Sequence, residues 1–107
     1  MENGNPQVIY SLDKIFNSDK PVLIDFYEPC SASCEKLIPV IKEVKQVMGN
    51  RMRVIKIDIG RNKNLVNAYQ IKNLPTMMLY QNGKQLWRKS GLASKTEILG
   101  TILQKSN

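Results

Sequence analysis

The segment "PVLIDFY", residues 21–27, constrains the fold of this chain more than any other. It is apolar at every position but one and rich in β-branched and aromatic residues. Such a run reads as a strand buried on both faces, which requires helices on each side of a sheet. The exception is Asp25. A carboxylate in the middle of a buried strand is costly to ionise, so its pKa is expected to rise unless a cation pairs with it.

Around this strand the remaining elements follow from local pattern. Val8 to Tyr10 is a short strand candidate, with Ser11 as N-cap of a helix through about Asn17. From about Ser33 to Met48 the apolar residues Leu37, Ile38, Val40, Ile41, Val44, Val47 and Met48 recur at helical spacing, with Pro39 inside the pattern and Gly49-Asn50 ending it. Arg53 to Ile59 reads as a second central strand, and Asn62 to Gln70 as a short helix. Thr76 to Tyr80 and Lys84 to Lys89 flank an Asn82-Gly83 turn and predict a hairpin. Ser94 with Glu97 forms a capping box that opens a C-terminal helix. The expected order is β-α-β-α-β-α-β-β-α.

A chain of 107 residues has room for one core, so a single domain over residues 1–107 is expected. No apolar run approaches the roughly 20 residues that a membrane span needs. The N-terminus has neither a basic n-region nor an apolar h-region, which predicts a cytoplasmic protein with no membrane partner; a monomer is expected. The net charge of +7 is unevenly spread: residues 59–107 carry eight basic residues against Glu97 alone. That half could face an acidic partner, but it holds no dense Lys/Arg run and no row of surface aromatics, so nucleic acid is not expected. Histidine is absent, which excludes Cys-His and Ser-His-Asp nucleophilic sites and removes the imidazole ligands on which most transition-metal sites rely.

The only two cysteines, Cys30 and Cys34, lie between the buried strand and the first long helix, in "DFYEPCSASCEKLIP". In a reducing compartment a close pair points to catalysis, redox sensing or metal binding rather than to a structural staple. This arrangement, in that element order, resembles the thioredoxin family. The likeness rests on "PVLIDFY", on "VIKIDI" with Lys56, on "NLPT" with Pro75 and Thr76, on "YQNGK", and on "KSGLASK" with Gly91. It implies an α/β thioredoxin fold, a mixed five-stranded sheet flanked by four helices. It also implies a cis peptide bond before Pro75, a substrate groove along Pro75, Thr76 and Gly91, and Lys56 approaching the buried Asp25.

The family's Trp-Cys-Gly-Pro-Cys stretch is altered here. Counting from Asp25 to Pro39, Cys30 falls on the tryptophan, Ser31 on the attacking cysteine and Cys34 on the resolving cysteine. A serine with no general base is a poor nucleophile. Cys30 sits at or before the helix N-terminus, where dipole and free amides favour an anion, while Glu28 disfavours one. Cβ atoms four apart on a helix are about 5–6 Å apart, whereas a disulfide wants about 3.8 Å. Closure therefore requires Cys30 to lie outside the helix.

Three readings stay open. The first is thiol–disulfide exchange with protein substrates. Cys30 attacks, Cys34 resolves, Asp25 tuned by Lys56 moves the proton, Ser31 caps the helix or assists a thiolate, and a thioredoxin-reductase-like partner supplies electrons without a bound cofactor or metal. The second is a redox-silent interaction module. The third is a Cu(I) site on the two thiolates, resembling copper-binding members of the fold but lacking their histidine.

Overall fold

A computed structural model describes residues 16–107. Among these residues the chain forms four strands and three helices: β1 (Val22–Tyr27), α1 (Ala32–Met48), β2 (Arg53–Asp58), α2 (Lys63–Ala68), β3 (Thr76–Gln81), β4 (Lys84–Ser90) and α3 (Lys95–Lys105). This corrects the expected five strands and four helices. The strand expected at Val8–Tyr10 and most of the helix expected from Ser11 to Asn17 lie outside the described residues.

The sheet order is β2-β1-β3-β4, with β1 parallel to β2 and antiparallel to β3, and β3 antiparallel to β4. The parallel pair needs a crossover, and α1 supplies it. Val22, Leu23, Ile24 and Phe26 are fully buried, as the apolar run requires of a strand covered on both faces. The period-2 alternation divides them between two cores. Leu23 packs with Leu37, Ile41 and Val44 of α1, Ile98 of α3, and Met77 and Leu79 of β3. Val22, Ile24 and Phe26 pack on the opposite face with Ile57, Ile71 and Met78, against Leu65, Val66 and Tyr69. Asp25 follows the alternation onto the α1 face.

Helix α1 runs on through Pro39 and ends at Gly49, whose φ of 57° is the left-handed conformation that glycine adopts at least expense. Lys45 closes this end, donating from Nζ to the carbonyls of Gly49 (2.8 Å) and Met52 (2.5 Å). The hairpin turn has positive φ at both Asn82 (53°) and Gly83 (77°), the geometry that Asn-Gly favours. Ser94 Oγ accepts from the Glu97 amide at 3.0 Å, so the cap forms. The reciprocal half of the capping box does not, because the Glu97 carboxylate is drawn to Lys89 Nζ at 2.8 Å.

Candidate active site

Strand β1 ends at Tyr27 and α1 begins at Ala32, leaving four residues, Glu28 to Ser31, to turn the chain. The Ser31 amide donates to the Glu28 carbonyl at 3.4 Å, and Cys30 has a φ of 65°. Proline at the second position and a positive φ at the third is the pattern of a type II turn. That third position favours glycine; a cysteine there holds the left-handed conformation at a cost of order 1 kcal/mol. The turn lifts Cys30 out of the helix and leaves it exposed. Ser31 follows as N-cap, its Oγ accepting from the Cys34 amide at 3.4 Å. Cys34, in the first turn of α1, is buried, and its Sγ accepts from the Glu28 amide at 3.5 Å. Both cysteines are free thiols and are not at disulfide distance.

Asp25 lies beneath them. It is 1% exposed, and its Oδ1 is the single buried side-chain oxygen or nitrogen among the described residues with no hydrogen-bond partner. Burial pushes its pKa up from the ordinary 3.8 to about 6, and the Lys56 ammonium partly offsets the rise. Lys56 is the register partner of Asp25 across the parallel pair, and its Nζ sits 5.1 Å above the Tyr27 ring. The Lys56 charge lowers the Asp25 pKa, but burial is the larger effect and keeps it raised.

One cavity of about 110 Å³ joins these groups: Asp25, Glu28, Cys30, Cys34, Glu35 and Lys56 all line it. The structure thus brings four of the expected site residues, Cys30, Cys34, Asp25 and Lys56, to one opening. Glu35 went unnoticed in the sequence. Its place in the first turn of α1, directly after Cys34, was the available signal.

Pro75, Thr76 and Gly91 form a second group at the same end of the sheet, because Phe26 pairs with Thr76 across the antiparallel β1–β3 ladder. The Leu74–Pro75 peptide is cis, and Pro75 is buried. Its carbonyl accepts from the Gly91 amide at 2.8 Å, and Gly91 has a φ of 95°. The Thr76 hydroxyl is fully engaged, with the Asn73 carbonyl and with Ser90 Oγ at 3.2 Å. This group does not line the cavity around Asp25. Among the described residues no group of three or more His, Cys, Asp or Glu side chains could hold a metal ion. None of the helices among them is long and apolar enough to cross a membrane.

The β2-β1-β3-β4 sheet, with helices on both faces and both cysteines at the junction of β1 and α1, has the architecture of a thioredoxin fold. The family model described as Thioredoxin matches residues 10–104, and the chain belongs to the thioredoxin family. It is 36% identical over 89 residues to a thioredoxin of Rickettsia felis, covering 83% of this chain and 85% of that one. It is 34% identical over 97 residues to the chloroplastic thioredoxin Y of Oryza sativa, covering 90% of this chain but spanning only 58% of that longer protein. Among solved structures it is similar to thioredoxin NaTrxh from Nicotiana alata, with a TM-score of 0.81 and 21% identity, over 97% of this chain and 89% of that one. It is also similar to a malaria parasite thioredoxin-2, with a TM-score of 0.77 and 22% identity, over 79% of this chain and 82% of that one. These two structural likenesses concern the fold.

Proposed function

We propose that the chain is a thiol–disulfide oxidoreductase acting on protein disulfides through Cys30 and Cys34, in a reducing compartment such as the cytoplasm. The observation that carries the reading is the unpartnered, buried Asp25 carboxyl lining the same cavity as both thiols. A carboxyl with no internal donor and a pKa brought near neutrality is suited to take up and return a proton. The thioredoxin relatives support the general class. The use of the Cys30 and Cys34 pair at this spacing is part of the proposal.

In the first step the Cys30 thiolate attacks one sulfur of the substrate disulfide. A mixed disulfide forms and one substrate thiolate leaves. Cys34 then gives up its proton to Asp25, by way of water, and attacks Cys30 Sγ. The second substrate thiol leaves, and a Cys30–Cys34 disulfide holds the two electrons' worth of oxidation. A dithiol reductant of the thioredoxin-reductase kind returns the pair to the free thiols. Cys30 stands outside α1, which allows it to move toward Cys34 without unwinding the helix. The groove at Pro75 and Gly91 would seat the substrate backbone, with the buried Thr76 holding its floor in place, and Ser31 would hold the helix cap through the cycle.

One observation favours a second reading. The free thiols are apart and Ser31 stands where the family places its nucleophile, as a redox-silent interaction module would have it. Insulin-disulfide reduction by the native chain and by Cys30→Ser and Cys34→Ser, with a thiol count after oxidation, separates the two. Turnover lost in both variants, and two thiols consumed together in the native chain, support the exchange mechanism. No turnover, with both thiols still free under oxidant, establishes the silent module.

A further inference from the structure

The chain carries a net charge of +7, yet three of its nine acidic residues, Asp25, Glu28 and Glu35, line the one small cavity beside Cys30. Lys56 is the only cation on that lining, so three carboxyls face a single ammonium that is already drawn over the Tyr27 ring. Glu28 and Glu35 are exposed, and among the described residues neither side chain has a hydrogen bond or an ion pair. At the floor, Asp25 Oδ1 is buried and without a donor. An acidic rim over an unpartnered buried oxygen is complementary to a cationic group that also donates hydrogen bonds. Lys36 and Lys42, the nearest cations in sequence on α1, do not line this cavity.

From this arrangement we infer that the cavity beside Cys30 is a specificity subsite that takes a lysine or arginine side chain flanking the disulfide of the substrate. The inference rests on the exchange reaction proposed above and names its substrate class: disulfides in basic sequence. The ammonium or guanidinium enters between Glu28 and Glu35 and donates toward Asp25, while the neighbouring substrate sulfur lies at Cys30. Glu28 and Glu35 act as specificity-determining residues and take no part in bond exchange.

The test uses three short peptides with one intramolecular disulfide, flanked by lysine, alanine or glutamate, and the reduced full chain. One charge pair in contact in water changes an equilibrium by roughly fivefold. The lysine peptide is therefore expected to exceed the glutamate peptide by about tenfold in kcat/KM at low salt. That ratio should fall below about twofold in 0.5 M NaCl and in the Glu28→Gln/Glu35→Gln double variant, which changes only exposed side chains. Equal kcat/KM for the three peptides at low salt, or a ratio untouched by the double variant, overturns the subsite. If no peptide is reduced, the exchange reaction itself has failed. The subsite is then judged by binding of cysteine-free versions of the peptides to the Cys30→Ser chain, followed by NMR. Shifts at Glu28 and Glu35 induced by the lysine peptide and not by the glutamate peptide support it; no binding, or equal binding, refutes it.

Discussion

Asp25 and Thr76 are buried polar residues on neighbouring strands, one register position apart at the same end of the sheet. Thr76 is fully satisfied, bonded to the Asn73 carbonyl and to Ser90 Oγ. Asp25 keeps one oxygen with no partner at all. At the far end of β3, Gln81 repeats the Thr76 pattern, with its amide nitrogen on the Asp19 and Asn107 carbonyls and its oxygen accepting from the Asn107 amide at 2.9 Å. Buried polar groups are normally paired because an unmade bond costs more than a made one contributes. Thr76 and Gln81 therefore read as parts of the scaffold. Asp25 is instead held at a cost to stability, as the proton-transfer role proposed for it would require.

The contrast is sharpest in the effect of removing each group. The Asp25 carboxyl holds its proton to about pH 6 in the folded chain and releases it near 3.8 when unfolded. Below pH 3.8 both states are protonated and burial of the carboxyl carries no ionisation penalty. Stability is then lost as pH rises through about 6, by about 3 kcal/mol in total. Asp25→Asn should therefore be more stable than the native chain by about 3 kcal/mol at pH 8 and equal to it at pH 3.5. It should also reduce substrate more slowly. Urea denaturation across pH tests the first claim, and parallel stability curves for the two proteins would remove the distinction between Asp25 and Thr76.

Thr76→Val keeps the shape and deletes both bonds, so it should destabilise by about 2 kcal/mol at every pH between 4 and 8. A pH-dependent loss would instead make Thr76 part of the proton path. Gln81→Leu should destabilise by about 1 kcal/mol, because the backbone groups it frees are near solvent, and it should leave insulin reduction unchanged. Away from this comparison, Ser94→Ala removes a helix cap and should reduce stability by about 1 kcal/mol. Lys89→Gln breaks the half-exposed pair with Glu97 and should have the smallest effect, below about 0.5 kcal/mol and vanishing in high salt. Thermal melts at two salt concentrations are enough to rank these last two.

Much of the fold is legible in local pattern. The run at 21–27 becomes β1, the helical periodicity after Ser33 becomes α1, and the Asn82-Gly83 turn joins β3 to β4 with both residues at positive φ. These features depend on neighbours in sequence: side-chain alternation, helical spacing and turn conformation. The anomaly of Asp25 was equally plain, since any carboxylate in such a strand is out of place. The spacing of Cys30 and Cys34, just before the first long helix, was visible in the same way.

Other features depend on what lies across the sheet. Whether Asp25 would be paired turned on the neighbouring strand: Lys56 is its register partner, yet Asp25 Oδ1 has no hydrogen bond and the Lys56 ammonium lies over the Tyr27 ring. The capping box was visible as a pattern, yet Glu97 turns to Lys89, a residue supplied by β4. Arg88 in the same strand donates to the carbonyls of Tyr69 and Gln70, closing the end of α2 in a way that no local motif announces. The meeting of Glu28, Glu35 and Asp25 around Cys30 is of the same kind. The sequence by itself determined which residues could form strand, helix and turn, because backbone preferences act over a few residues. Only the tertiary structure decided which charges meet and which stay unpartnered, because burial and electrostatics act between elements that the chain keeps apart.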